Sequence, residues 1–515
     1  MLLSGWLSTL MGHSRDWDFL NYHFYDGWAF LHHRFNIDAE PARIWNFFNP
    51  LLDAFNDLII CATGNNLMMS TFILGMISGI GVFIFYLTIA LIFDQTHPHR
   101  NFYITLAFLI GITAPTALSQ IGATTNDFQT ASIIVLGIYF ALSALIQEKN
   151  KKLLLLTSGL LTGVAMGLKL TNMLYAGSLE LAIFFSVTGT KNKIHFSLFL
   201  CVGILLGFLM TNGWWMLFLY QHFKSPFFPF YNKIFHSPYY PLDNYNDTRF
   251  SIHHLTQIFT RPFEYMRENR LAHEVTTRDW RLGTLLLLTA LYFLELLFLP
   301  KRNSPTKPQT STLIKFLIIY VWSSYLIWVV QFGISRYAIP TELMSGALII
   351  LLWAQIFKEG IIGKGILGGL TALIILSTIP PISIEIYPSN EKFVYMDSPG
   401  QIPKNSLIIL NGFKQSFVIP FFPTSTVFVS TTFDWGGQSK NNMTSIFGIQ
   451  KIRQHQGPIF ILFGHGYQDS PGYPVKDLKL NGLEFSLDIR SCKALKTNQH
   501  FESAFYLCPA IQKTT

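Results

Sequence analysis

Long apolar segments alternate with short polar ones over the first three quarters of the chain. A helix needs roughly 17–25 apolar residues to cross a bilayer core of about 30 Å. Ten runs approach or reach that length, at about 67–93, 101–118, 130–146, 153–168, 173–188, 195–220, 282–300, 313–333, 341–357 and 362–380. This pattern predicts a polytopic α-helical membrane protein with about ten to eleven transmembrane helices.

The first twelve residues, Met1 to Gly12, are apolar but too short to span a membrane. They lack the basic start and the small-residue cleavage site of a signal peptide. We expect them to be the outer end of a first span that begins upstream of Met1, which would be the eleventh helix. The alternative is a frayed chain end.

The basic residues of the connecting segments fall into two sets. One set of loops carries Arg100, Lys149, Lys151, Lys152, Lys191, Lys193, Lys301, Arg302, Lys307, Lys315, Lys358 and Lys364. The short loops of the other set carry only Lys169 and Arg336. Because Lys and Arg concentrate on the cytoplasmic side, the first set is predicted to be cytoplasmic. Alternation then places outside the segments 13–66, 119–129, 169–172, 221–281, 334–340 and 382–515.

Two domains are predicted from this arrangement. Residues 1–381 form a transmembrane domain, with a first external loop at 13–66 and a large external loop at 221–281. Residues 382–515 form a small α/β domain, periplasmic or extracellular, on a protein of the cytoplasmic (inner) membrane. Its candidate strands are Leu407–Leu410, Val427–Val429 and Pro458–Phe463, separated by clusters of Gly and Pro.

The first external loop carries one helical pattern. Phe24, Trp28 and Leu31 recur at helical spacing, while Asn21 and Asp26 lie off that stripe. We expect external amphipathic helices here, with the apolar stripe lying on the membrane surface.

Composition narrows the class further. The chain has 515 residues, of which 50% are hydrophobic and 13% charged, whereas a soluble domain has about 25% charged residues. Disorder is excluded, since it requires low hydrophobicity and high charge. The net charge of +8 (37 − 29) is explained largely by the basic cytoplasmic loops, so no nucleic-acid partner is expected.

The four cysteines agree with this topology. Cys492 and Cys508 both lie in the external domain, where an oxidising compartment favours a disulfide. The alternative is two unpaired strand cysteines. Cys61 and Cys201 lie in or near apolar runs and are expected to be buried thiols.

Polar residues occur where external loops re-enter the membrane, and charged residues at that depth are costly and often functional. They are Asp16, Asp18, Asn21 and His23 in the first external loop, Asp127 in the next, Lys169 in a short polar break, and Arg336 with Tyr337 before a late span. Cations there can neutralise a lipid phosphate. A carboxylate there can accept the proton of an attacking hydroxyl.

This arrangement resembles the GT-C superfamily of integral membrane glycosyltransferases, which use polyprenyl-phosphate sugars. In that superfamily an Asp, or an Asp/Glu pair, follows the first span, and Asp16 and Asp18 stand in the matching position. Asp127 matches a second acidic residue, Lys169 resembles a recurring feature, and Arg336 resembles the basic residue that contacts the phosphate. The resemblance covers about residues 13–380, and a soluble external C-terminal domain is also common there.

The resemblance implies transfer of a sugar, with inversion, from a polyprenyl-phosphate carrier to an envelope glycan, lipid or protein on the outer side of the membrane. Asp18 and Asp16 are then the catalytic candidates. The substrate-binding candidates are Asn21, His23, Asp127, Lys169, Arg336 and Tyr337. The expected partners are the lipid-linked donor and membrane lipids, and no cofactor is required.

Each of these residues also has a simpler interpretation. Asp18 and Asp127 are suited to capping the helices that follow them. Lys169 can snorkel to the headgroups, and Arg336 can be an interfacial anchor beside Tyr337. The remaining alternatives are a solvated charge for Asp16, a packed side chain for His23, and a divalent metal held by Asp16 and Asp18.

Two other function classes compete with the enzyme. A transporter or flippase of lipid-linked sugars would show internal repeats or broken helices at the midplane. No repeat is visible, and the polar residues lie at one face. A membrane-anchored assembly module would tolerate loss of the acidic loop residues.

Overall fold

The protein forms two compact units in a computed structural model. The helical unit contains Met1–Gly12, Leu74–Gly213 and Asn246–Glu385, and the mixed unit contains His13–Ile73, Trp214–Tyr245 and Ile386–Thr515. The structure describes all residues except 13–15, 243, 245–246, 299–307, 358–359, 383–387, 413, 431–443, 465–472, 481, 499–503 and 514–515. The predicted cytoplasmic residues Lys301, Arg302, Lys307 and Lys358 therefore lie outside the described residues.

Helices make up most of the described chain. In order they are α1 Leu2–Met11, α2 Phe24–Leu31, α3 Leu51–Ala62, α4 Leu67–Ile92, α5 Arg100–Ile112, α6 Pro115–Ser119, α7 Asp127–Ile146, α8 Lys151–Leu168, α9 Met173–Ser186, α10 Thr190–Phe223, α11 Asn232–Phe235, α12 Gln257–Glu264, α13 Arg281–Phe298, α14 Pro308–Gln331, α15 Ile339–Ile356, α16 Ile361–Ser377 and α17 Thr444–Gln454.

Nine of the ten predicted apolar runs each coincide with one of these helices, and the run at 101–118 covers both α5 and α6. Among the described residues, 7 helices are long and apolar enough to cross a membrane, namely α4, α7, α8, α10, α13, α14 and α15. Helices α1, α5 and α16 are apolar but shorter. The chain is therefore a multi-pass membrane protein, and the predicted fold class is confirmed at that level.

Small residues allow close packing of helices in the helical unit. A Cβ added at Gly159 or Gly163 of α8 would lie 2.1 or 2.0 Å from a backbone oxygen of α10. The relation is reciprocal, because a Cβ at Gly203 or Gly207 of α10 would meet backbone oxygens of α8 at 2.3 and 2.0 Å. Spacing of small residues by four is a common basis for helix association in membranes. Replacement of these glycines would force α8 and α10 apart.

A seven-stranded mixed sheet forms the core of the mixed unit. Its strands are β1 Leu407–Asn411, β2 Val427–Ser430, β3 Ile459–Phe463, β4 Asp477–Leu480, β5 Leu483–Leu487, β6 Lys493–Lys496 and β7 Ala504–Gln512. The order is β2-β1-β3-β7-β5-β4, with β6 also paired to β7. Strand β1 is parallel to both β2 and β3, and the other pairings are antiparallel. The three predicted strands are confirmed.

The first external loop belongs to the mixed unit and is held there by a buried ion pair. Arg34 donates to Asp38 at 2.6 Å and to the carbonyl oxygens of Thr424 and Thr426 at 2.6 and 2.5 Å. Asp38 in turn accepts from the backbone N–H of Phe428 in β2 at 3.0 Å. The loop and the C-terminal sheet are thus one packed structure.

The apolar stripe of α2 is buried in this unit. Phe24 is 8% exposed and Trp28 is 9% exposed, and both pack in one core with residues of β1 and β2. The expectation that this stripe lies on the membrane surface is therefore wrong. An amphipathic pattern shows that one face is covered, but it does not distinguish a protein core from a lipid surface.

A disulfide joins Cys492 to Cys508, as predicted. It connects the start of β6 to β7, and closing a loop of 16 residues stabilises a fold by about 3 kcal/mol in the chain-entropy account. A disulfide fits an extracytoplasmic location for the C-terminal domain. Cys61 and Cys201 were expected to be buried, but both are exposed.

Candidate functional site

Two groups of polar side chains contain the predicted site residues, one in each unit. The first, the cationic cluster, consists of Asp127, Lys169, Arg336 and Tyr337 in the helical unit. Asp127 is the first residue of α7, and Lys169 follows the last residue of α8. Arg336 and Tyr337 lie in a short 3₁₀ turn, Ser335–Ala338, directly before α15. Helix ends therefore position all four residues.

Asp127 is the centre of the cationic cluster. Its side chain is 3% exposed, and its Oδ1 lies 2.5 Å from the Nζ atom of Lys169. Its Oδ2 lies 3.7 Å from the Nε atom of Arg336. One buried carboxylate thus faces two cations, which leaves a charge of +1 (2 − 1) on these three side chains.

Aromatic and backbone groups complete this cluster. The ring of Tyr337 lies 5.3 Å from Lys169 Nζ and 5.6 Å from Arg336 Cζ, within the range of cation–π attraction. The Tyr175 hydroxyl donates to the Tyr337 carbonyl at 2.5 Å. Lys169 also donates to the Thr125 carbonyl at 3.0 Å. These contacts fix both cations in place before any ligand binds.

The field of Arg336 reaches the large external loop. Burial lowers the pKa of His273, and the positive charge of Arg336 lowers it further, while Glu274 opposes the shift. His273 is therefore held toward its neutral form, which keeps a further positive charge away from Arg336.

The second group lies around the start of α2 in the mixed unit. Asp16 Oδ1 accepts from the backbone N–H of Phe19 at 2.8 Å, so Asp16 caps the helical turn that begins at Trp17. Helix capping was the alternative interpretation of Asp18, but Asp18 lies inside that turn and its side chain makes no capping bond. A π-helical turn, Phe19–His23, continues into α2. Asn21 and His23 lie in this turn, and both are buried.

His23 is paired with a residue that the sequence analysis did not identify. Its Nδ1 atom lies 2.7 Å from Oδ1 of Asp53 on α3, and the two side chains are 7% and 2% exposed. Gly27 makes this approach possible, because a Cβ there would lie 2.4 Å from the Asp53 carbonyl oxygen. Helices α2 and α3 therefore meet with almost no space between them.

Further carboxylates extend this contact into what we call the acidic seam, defined by His23, Asp26, Asp53 and Asp57. Burial raises the pKa of Asp26 well above its usual range, and the charge of Asp53 adds to that shift. Asp26 accepts from Asn46 Nδ2 at 2.6 Å. Burial also raises the pKa of Asp57 to about 6, against a smaller opposing effect of His32.

Helix α3 has its polar side chains on the buried face and its apolar side chains on the exposed face. Asp53, Asn56 and Asp57 are each 3% exposed, whereas Phe55 is 43% and Leu58 is 53% exposed. This is the reverse of a surface helix on a soluble protein. The sequence did contain a signal for Asp53, since Asp53, Asn56 and Asp57 recur on one helical face.

The structure thus groups the predicted residues in two sets. Asp127, Lys169, Arg336 and Tyr337 come together from three segments of the helical unit, and Asp16, Asp18, Asn21 and His23 lie together in the mixed unit. Among the described residues, no group of three or more His, Cys, Asp or Glu side chains is arranged to hold a metal ion. A comparison of the chain with protein-family models, with curated proteins and with solved structures finds no match.

Proposed function

We propose that the protein is a membrane glycosyltransferase that takes its sugar from a polyprenyl-phosphate carrier. The observation that carries this proposal is the cationic cluster. Three segments separated by more than forty residues place Lys169 and Arg336 beside one buried carboxylate at the ends of apolar helices. A charge of this sign at helix ends in a membrane protein suits an anionic lipid headgroup.

The cations supply what the leaving group needs. When the glycosidic bond to phosphate breaks, negative charge grows on the phosphate oxygen, and fixed cations stabilise that charge. Arg336 offers a planar pair of N–H donors suited to phosphate, and Lys169 offers a compact charge. Asp127 holds both in position and limits the repulsion between them.

The transfer step is a direct displacement. The acceptor hydroxyl oxygen attacks the anomeric carbon, and the bond between that carbon and the phosphate oxygen breaks with its electron pair leaving on the phosphate. The hydroxyl proton passes to a carboxylate base, and Asp18 is the candidate for that role from the sequence. The products are the glycosylated acceptor, with inverted anomeric configuration, and the free polyprenyl phosphate. Asp16 serves this step by capping the turn that carries Asp18.

The topology that goes with this function is part of the proposal. The helices at the ten predicted runs form the GT-C-like transmembrane domain of residues 1–381. Residues 382–515 then form the external domain, facing the periplasm or the extracellular space. The acceptor is an envelope glycan, lipid or protein.

The test is sugar transfer by the purified protein in proteoliposomes that contain a radiolabelled polyprenyl-phosphate hexose or pentose. Arg336→Gln is expected to lower transfer at least 100-fold at equal protein level, because a leaving group without its cation costs about 3 kcal/mol. The control is Lys191→Gln, which removes an exposed charge of the predicted cytoplasmic set at the start of α10. Equal transfer by Arg336→Gln and wild type would overturn the proposal. Labelled lipid that changes leaflet without being consumed would favour a flippase instead.

A further inference from the structure

The His23–Asp53 pair has a second nitrogen that faces away from the pair. His23 is 6% exposed, and its Nε2 atom is buried without a hydrogen-bond partner among the described residues. The Asp53 carboxylate accepts a hydrogen bond from His23 Nδ1, and this bond holds the imidazole ring in one orientation. A buried polar atom without a partner destabilises the fold. An oriented histidine with one buried, unpaired nitrogen is therefore an arrangement suited to a ligand.

Two nearby side chains also have buried polar atoms without hydrogen-bond partners in the described structure. Within the described chain, Nδ2 of Asn21 and Oδ2 of Asp26 are also buried without hydrogen-bond partners. Three such atoms lie within six residues of one helical segment. They are one amide donor, one imidazole nitrogen and one carboxyl oxygen, and each is a group that can hydrogen-bond a hydroxyl.

Charge selects the class of ligand. Asp53 and Asp57 give the seam an acidic character, so a phosphate or carboxylate would be repelled. No described group of three or more His, Cys, Asp or Glu side chains could hold a metal ion. A neutral ligand with hydroxyl groups can satisfy His23 Nε2 without adding charge. The ring of Tyr22 lies 4.1 Å from that of His23 and stacks with Trp45, and such rings pack on the apolar faces of sugars.

We propose that His23 Nε2, oriented by Asp53, hydrogen-bonds a hydroxyl group of a carbohydrate, either the transferred sugar or a sugar of the acceptor. This rests on the proposed glycosyltransferase function and adds a binding group to it. Asp53 is a positioning residue, since it reaches the carbohydrate only through His23.

Two substitutions distinguish the roles of the two ring nitrogens of His23. In His23→Asn the side-chain amide takes the place of Nδ1, so the contact with Asp53 remains and the ligand-facing nitrogen is lost. In His23→Gln the amide takes the place of Nε2, so the ligand contact remains and the contact with Asp53 is lost. A merely structural role predicts that His23→Asn resembles wild type and that His23→Gln is the defective variant. Ligand binding predicts the reverse order for sugar affinity.

The experiment uses the full chain in two assays. In the transfer assay, donor and acceptor concentrations are varied separately, and His23→Asn is expected to raise one KM about 10-fold with kcat changed less. The KM that rises identifies which carbohydrate His23 binds. In the second assay, tryptophan fluorescence follows titration of the detergent-solubilised protein with free glucose, mannose, galactose or arabinose. The same variant is expected to weaken binding of the sugar that wild type prefers by about 10-fold.

The two proposals fail in different ways. If wild type binds a free sugar through His23 but transfers none, the binding role of His23 stands and the glycosyltransferase proposal is overturned. If wild type transfers sugar and His23→Asn leaves the KM values for donor and acceptor unchanged, the binding role of His23 is overturned and the glycosyltransferase proposal stands. If neither variant folds, the test uses wild type, and the rate at which diethyl pyrocarbonate modifies His23 Nε2 is measured. A saturating free sugar should slow that reaction several-fold, and either an unchanged rate or an unreactive His23 would contradict the proposal.

Discussion

The cationic cluster and the acidic seam are built alike and are charged differently. Each places a nearly fully buried aspartate, Asp127 or Asp53, at the contact of two helix ends or helix faces. Asp127 faces Lys169 and Arg336, whereas Asp53 faces His23 and lies close to Asp26. The first arrangement has a surplus of positive charge and suits a phosphate. The second has a surplus of acid and suits neutral hydroxyl groups. Under the two proposals, the partners of a buried carboxylate, more than the carboxylate itself, determine which ligand the place would bind.

The largest loss of stability is expected on replacement of Asp127. In Asp127→Asn two cations lose the charge that pairs them, and breaking a buried pair costs about 3–5 kcal/mol. The loss should lie at the low end of that range, because Lys169 and Arg336 are 19% and 23% exposed. Thermal unfolding in detergent measures it. The control is Asp247→Asn, which breaks an exposed pair with Arg249 and should cost less than about 1 kcal/mol. Equal losses would show that the cationic cluster is an ordinary surface network.

The acidic seam should respond to loss of a carboxylate in the opposite direction. The pKa of Asp57 is raised from 3.8 to about 6, so the folded state binds the proton more tightly than the unfolded state. Stability from this group is therefore present at low pH and is lost as pH rises from about 4 to 6. Asp57→Asn should stabilise the protein by about 2–3 kcal/mol at pH 7. The gain should shrink toward zero near pH 4.

Unfolding of wild type and Asp57→Asn across pH 4–8 measures this difference. A gain that does not change with pH would contradict the account, since the effect would then come from packing and not from charge. Asp477→Asn is a matched control, because that carboxyl is exposed and its pKa is lowered by Lys513. That variant should be slightly destabilised at pH 7.

Much of the fold was predictable, and the reasons are physical. Helices that cross a membrane need uninterrupted apolar runs, so α4 and α10 are visible as runs in the sequence. The strands β1 and β3 were visible because both faces of each are covered. Strands β4, β5 and β6 were missed because charged residues alternate with apolar ones in these short segments. Strand β7 was missed because Pro509 lies within it, and proline argues against a strand.

The site was predictable only in part. Asp127, Lys169 and Arg336 stand out because charge is rare at membrane depth. Asp53 has only the weak signal of a polar face on α3. Its pairing with His23 and its close approach to Gly27 join residues 30 and 26 positions apart, which no local pattern shows. The role of Asp16 as a cap, and the burial of Trp28, depend on packing against distant segments that no local pattern records.

The smallest predicted effect is on salt dependence. Added salt screens a phosphate from Lys169 and Arg336, whereas binding of a neutral sugar to the seam involves no charge on the ligand. Raising the salt concentration from about 0.05 to 0.5 M should raise KM for the lipid donor by about two- to threefold. Affinity for the free monosaccharide should stay constant. Equal salt dependence of both would remove the distinction between the two regions.

The central claim is that the cationic cluster holds the phosphate of a lipid-linked sugar during transfer. Its most direct test is release of polyprenyl phosphate by wild type and Arg336→Gln in proteoliposomes, with labelled donor and with protein level matched. The account predicts release that is matched mole for mole by glycosylated acceptor in wild type and lowered at least 100-fold, or about 3 kcal/mol, in the variant. Release at the wild-type rate by Arg336→Gln, or no release by either protein, would contradict it.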